Sequence, residues 1–195
     1  FRNTKGRFSD ATEVLGLGGF TGGWKGVTAG DFDGDGKMDL VATNWGRNLP
    51  FVPDSTSPLY LYIGNFGPRQ TVDLILAARD TRISAIAPLA SFSRLATAIP
   101  EIRERIPTFA EYGDATIEKV LGPAFERAIR IQATTYDHLL LLNRNGRFIA
   151  TPLPAEAQYA PAFAAVAADF NGDGNEDLFL AQNFSQTEVG TPRLD

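Results

Sequence analysis

Two ten-residue stretches limit most tightly what this chain can fold into: DFDGDGKMDL at 31–40 and DFNGDGNEDL at 169–178. Acids or amides fall at the first, third, fifth and ninth positions of each, with glycine at the fourth and sixth. Carboxylates packed this densely repel one another unless a cation sits among them. A curled loop with acids at alternate positions can turn them toward one centre, and the glycines permit the positive φ angles the curl requires. The spacing therefore predicts two metal loops. In the first, Asp31, Asp33, Asp35 and Asp39 offer side chains and Lys37 its backbone carbonyl. In the second, Asp169, Asn171, Asp173 and Asp177 play those parts with the carbonyl of Asn175.

An all-oxygen set of this kind suits Ca²⁺, which takes six to eight oxygen ligands in flexible geometry. Magnesium demands a stricter octahedron and zinc prefers nitrogen or sulfur. Helix-flanked calcium loops require a bidentate glutamate at the twelfth position, where this chain has Ala42 and Leu180. That excludes the EF-hand. Asn171 lowers the charge of the second loop, so the first is expected to bind more tightly.

The flanks of both loops read as strands. Residues 24–32 lead into the first loop and 38–44 leave it as a short apolar run; 162–170 and 177–183 repeat the arrangement around the second. A third copy starts at Asn65 after a strand over 58–63. There Asn65 replaces Asp31, Gly67 replaces Asp33, Arg69 replaces Asp35, and Asp73 alone matches Asp39. This copy is expected to hold no metal. Residues 88–128 change to helical spacing, cut by Pro100 and Pro107, with a capping box from Thr108 to Glu111 and a stop at Gly122-Pro123. Hairpin turns are expected at Lys5-Gly6 and Asn145-Gly146. The fold class is mainly β. Repeated sheet-sized units suggest a β-propeller, which closes with about four blades or more. Residues 1–195 thus read as an incomplete propeller of about three blades carrying a helical insertion at 88–128.

Composition removes other classes. With no cysteine, disulfides and thiolate metal sites are excluded. The net charge of -5 and the scatter of the arginines give no basic face for nucleic acid, and no apolar run is long enough to span a membrane. His138 is the only histidine and lies in an apolar strand, a placement expected of a structural group. Trp24, Trp45, Tyr60 and Tyr62 are expected to pack between blades rather than to form a sugar-stacking platform. Asn183-Phe184-Ser185 fits a glycosylation sequon.

Residues 24–45 and 163–184 resemble VCBS/FG-GAP repeats, the units of integrin-like β-propellers. The flanking FSDAT at 8–12 and LPAEAQ at 153–158 resemble bacterial relatives of the cartilage acidic protein group. The resemblance implies a secreted, cell-surface or periplasmic propeller whose loops bind calcium structurally. The expected function is non-catalytic, in adhesion or assembly. Its partners would be the rest of its own propeller and an extracellular protein or polysaccharide. The alternative is the propeller part of a polysaccharide lyase or hydrolase.

Overall fold

The computed structural model describes residues 1–49, 51–68 and 71–182. Pro50, Arg69, the Asn183-Phe184-Ser185 sequon and the end of the strand expected over 177–183 lie outside the described residues. In chain order the strands are β1 (Arg2–Thr4), β2 (Arg7–Ser9), β3 (Gly26–Gly30), β4 (Asp39–Thr43), β5 (Leu59–Gly64) and β6 (Asp73–Asp80). They continue with β7 (Ala85–Pro88), β8 (Ile129–Ala133), β9 (Leu139–Asn143), β10 (Phe148–Pro152), β11 (Ala164–Ala168) and β12 (Asp177–Ala181). Between β7 and β8 run α1 (Phe92–Ala98), α2 (Ile102–Arg105), α3 (Phe109–Gly113) and α4 (Ile117–Leu121). The chain divides into two compact units, one built from Phe1–Val52 with Thr135–Asp195 and the other from Pro53–Thr134.

In the first unit, β3 and β4 form the hairpin around the first acidic loop, in a register that places Gly30 opposite Asp39. Its sheet runs in the order β10-β9-β4-β3, all neighbours antiparallel. Strands β9 and β10 come from far along the chain, joined to the hairpin where β4 pairs with β9 through Leu40 and Leu141. The Asn145-Gly146 turn joins β9 to β10 with positive φ at both residues, 55° and 83°, and Lys5-Gly6 joins β1 to β2 in the same way. Both are the primed turns that match the twist of a hairpin. The second acidic loop joins β11 to β12, paired from Ala164↔Ala181 to Ala168↔Asp177.

Beneath β4 and β9 lies a polar knot. His138 is fully buried; its Nδ1 accepts the Asn44 N–H at 2.7 Å, and Nε2 lies 3.0 Å from the Ala160 carbonyl. The acceptor role of Nδ1 places the proton on Nε2, which donates to Ala160. Gln158, also buried, accepts the His138 N–H and donates to the His138 carbonyl. Both ring nitrogens are thereby occupied within the fold, as buried polar groups must be.

The second unit has a four-stranded antiparallel sheet in the order β7-β6-β5-β8. The helices cover one face of it. Tyr62, Ile75 and Ala77 from the strands are buried with Phe92, Leu95, Ile99, Ile102, Ile106, Ile117 and Val120 from the helices. Tyr62 stacks at 5.8 Å against Phe125, so this ring lies under helices and not between blades as its sequence suggested. The helices are short for local reasons. Pro100 and Pro107 interrupt them, since proline cannot donate within a helix. Ser91, Thr108 and Thr116 cap α1, α3 and α4 through their hydroxyls, each accepting an N–H three residues on. The sheet's other face carries two aliphatic rows, Leu74–Ile63–Ile129 and Leu76–Leu61–Ile131, set by the strand register.

The expected strands, loops and helices therefore appear, but their assembly differs from a simple run of blades. Strand β8 pairs with β5, whereas β9 and β10 return to complete the sheet begun by β3 and β4. Periodicity marks where strands lie and carries no information about which distant strand each one finds.

Candidate metal centre

The two acidic loops are built on the same hydrogen bonds. Asp31 accepts the N–H groups of Asp35 and Gly36 at 3.1 and 2.9 Å. Asp169 accepts those of Asp173 and Gly174 at 3.2 and 2.9 Å, and that of Gly172 at 2.7 Å. The third-position side chains, Asp33 and Asn171, accept the N–H two residues on, at 3.3 and 2.8 Å. Asp35 and Asp173 do the same to Lys37 and Asn175, at 2.9 and 2.8 Å. Gly34 and Gly36 have φ of 72° and 80°, and Gly172 and Gly174 have 77° and 87°. Side chains at these four positions would strain the turn that points the acids inward.

The ninth position has a further role. Asp39 Oδ2 accepts the Phe32 N–H at 3.1 Å, Asp177 Oδ2 accepts that of Phe170 at 3.1 Å, and Asp73 Oδ2 accepts that of Phe66 at 2.9 Å. The third copy keeps this clasp although its other acids are gone. A carboxylate at this position closes all three loops in the same way.

Of the residues expected to bind metal, the structure gathers Asp31, Asp33 and Asp39, whose nearest carboxylate oxygens all lie within 4.8 Å of one another. Ligands on opposite sides of a calcium ion at 2.3–2.6 Å stand at about that separation, so this trio fits the ion. Asp35 is turned elsewhere. Its Oδ2 receives the Lys37 ammonium at 2.9 Å and the Arg144 guanidinium at 3.2 Å. The Lys37 hydrogen bond is the main reason its carboxyl sits below the usual range. Lys37 and Asn175 are held in place by the N–H bonds just described. The matching trio of the second loop is Asp169, Asn171 and Asp177, an amide standing for one acid. Backbone N–H groups, led by that of Gly174, lower the Asp169 carboxyl, and the Asn175 N–H does most to lower that of Asp173.

Two contributors were not visible in the local sequence. Arg144 reaches Asp33 with Nη2 at 2.5 Å and Asp35 with Nη1. Asn143 donates its N–H to Asp39 Oδ1 at 2.7 Å across 104 residues. Both sit at the β9–β10 turn, and only the pairing of β4 with β9 brings that turn to the loop. No sequence signal near either residue announces this.

In the third copy a physical reason for the missing ligands is apparent. A side chain at Gly67 would place its Cβ 2.8 Å from the Ala98 carbonyl oxygen. The end of α1 occupies the space where a third-position carboxylate would project.

Residues 1–42 match the FG-GAP-like repeat, a span that ends just after the first acidic loop. No curated protein and no solved structure matches the chain. The described residues contain no helix long and apolar enough to cross a membrane.

Proposed function

We propose that this chain is a calcium-binding, non-catalytic segment of an extracellular β-propeller, serving adhesion or assembly at a cell surface or in a secreted protein. The observation that carries the reading is the hydrogen-bond pattern shared by two acidic loops 138 residues apart in sequence, Asp31 against Asp169. Asp31, Asp33 and Asp39 would hold the first ion. Asp169, Asn171 and Asp177 would hold the second, with Asp173 and the carbonyls of Lys37 and Asn175 completing the shells; Asp35 would join the first by leaving Lys37 and Arg144. Calcium supplies a positive centre that relieves carboxylate repulsion and stiffens the turn between two strands. Exposed loops of this kind in extracellular modules work at ~10⁻⁴ to 10⁻³ M affinity, which suits a compartment rich in calcium. The FG-GAP-like repeat at residues 1–42 supports an extracellular repeat domain. The non-catalytic reading is supported by His138, whose two ring nitrogens are both engaged in the interior.

Equilibrium dialysis against Ca²⁺ tests the proposal. Two ions per chain are expected, falling to one in Asp31→Asn and to one in Asp169→Asn. Binding of less than one ion at millimolar free calcium would sink it.

A further inference from the structure

The second unit contains a cleft of about 510 Å³ between the loop that starts at Asn65 and the helices. Asn65 and Phe66 line it from the loop; Glu101, Arg105, Leu121 and Arg127 line it from the helical side. That volume lies in the range of small-molecule sites. Two polar atoms on its helical side are shut off from water without a hydrogen-bond partner: Glu101 Oε2 and Arg105 Nε. Native proteins seldom keep such atoms, because each costs about 1–3 kcal/mol when unsatisfied.

The guanidinium of Arg105 is held in place, since its Nη2 donates to the Val120 carbonyl at 2.8 Å. Glu101 stands one helical turn before it. Glu101 and Arg105 both line the cleft, and each keeps one polar atom with unused hydrogen-bonding capacity. Arg127 adds a second, exposed guanidinium on the same wall. Two positive groups against one negative leave the cleft with one net positive charge, which favours a singly charged anion over a neutral or zwitterionic ligand. Glu101 in turn requires that the ligand carry a donor. Phe66 and Leu121 supply an apolar surface for a ring face.

We propose that this cleft binds a small hydroxylated carboxylate of the kind a uronic acid presents. Its carboxylate accepts from Arg105 and Arg127, a hydroxyl donates to Glu101, and the ring lies against Phe66 and Leu121. Planar guanidinium groups suit a carboxylate because two N–H donors meet two oxygens. This site goes beyond the calcium reading and does not rest on it.

Titration calorimetry of the whole chain with D-glucuronate, D-glucose and acetate tests the assignment, run both in calcium and in chelator. Glucuronate should saturate one site per chain in both conditions, with glucose and acetate weaker by about tenfold or more. Arg127→Ala alters only an exposed side chain, so it should weaken glucuronate by about fivefold or more while leaving the urea midpoint unchanged. Glu101→Ala, which removes the acceptor, should weaken glucuronate toward the level of acetate. Four results would overturn the proposal: no saturation by glucuronate, equal binding of acetate, binding unaffected by both variants, or binding that vanishes when calcium is chelated. The last would place the sugar acid on a loop-bound ion.

Discussion

Asp39 is the acid whose removal separates clasp from ligand. Its side chain is fully buried and accepts two backbone N–H groups, Phe32 across the loop and Asn143 at the end of β9. Asp39→Ala strands both donors, each part-buried like the Asp73 donor and costing about 1–3 kcal/mol when unpaired, so the loss is on the order of 2–6 kcal/mol even in chelator. Asp73 offers the contrast. It serves one partly buried donor, Phe66, in a loop without the other acids, and its replacement by alanine should cost about 1 kcal/mol. Asp39→Asn keeps one acceptor but aims an amide N–H at a backbone donor, and should fall between wild type and Asp39→Ala. The assay is urea unfolding in chelator, with hydrogen exchange at β4 and β9 read against β5 and β6 so that each unit reports separately. Equal losses for Asp39→Ala and Asp73→Ala would refute the reasoning. So would an Asp39→Ala protein that matches wild type in chelator and loses stability only in calcium, since the carboxylate would then act as a ligand alone.

Arg144→Ala removes a guanidinium from Asp33 and Asp35. It should tighten calcium at the first loop by about two- to fivefold, the scale of an exposed ion pair, with no change at the second; calorimetry showing weaker binding at the first loop would reverse the assignment. Gly67→Ala drives a Cβ into the Ala98 carbonyl and should destabilise the second unit by about 1–3 kcal/mol, measured as an earlier urea midpoint for β5 and β6. His138 should make stability depend on pH. Burial lowers its folded pKa below the ordinary 6.5, so its contribution is complete above 6.5 and is lost as pH falls through the depressed folded value. Unfolding midpoints in chelator should drop across that window in wild type and stay flatter in His138→Gln.

Much of the candidate site was legible because its information is local. Acids at alternate positions, glycines at two fixed ones and apolar runs on either side define the loop within a dozen residues, and the structure repeats its hydrogen bonds in both copies. The helix boundaries were legible for the same reason: Pro100, Pro107, the Thr108 cap and Gly122 act on their own neighbours. What escaped was non-local. Arg144 reads only as part of a hairpin turn, yet it pairs with Asp33 and joins Lys37 on Asp35. Asn143 carried no signal at all. The ranking of the loops by side-chain charge took account of Asn171 but could not include a guanidinium delivered from β10's side of the sheet. Tyr62 was assigned to a face between blades because alternation shows that a strand has two faces and not which one the helices cover.

The pairing of Leu59 with Ala133 bears on how the chain assembles during synthesis. The second unit begins and ends on adjacent strands, so once folded it holds its own two ends together. Before that, joining β4 to β9 means closing a loop of 104 residues between Asp39 and Asn143. Afterwards the flexible part shrinks to roughly 20 residues, which lowers the closure cost by about 1.5 kcal/mol. A ribosome releases β3 and β4 first, then the whole second unit, and only later their partners β9 and β10. The intervening unit thus works as a scaffold in time: an exposed half-sheet waits while its neighbour folds, and mutations that slow the neighbour lengthen that wait.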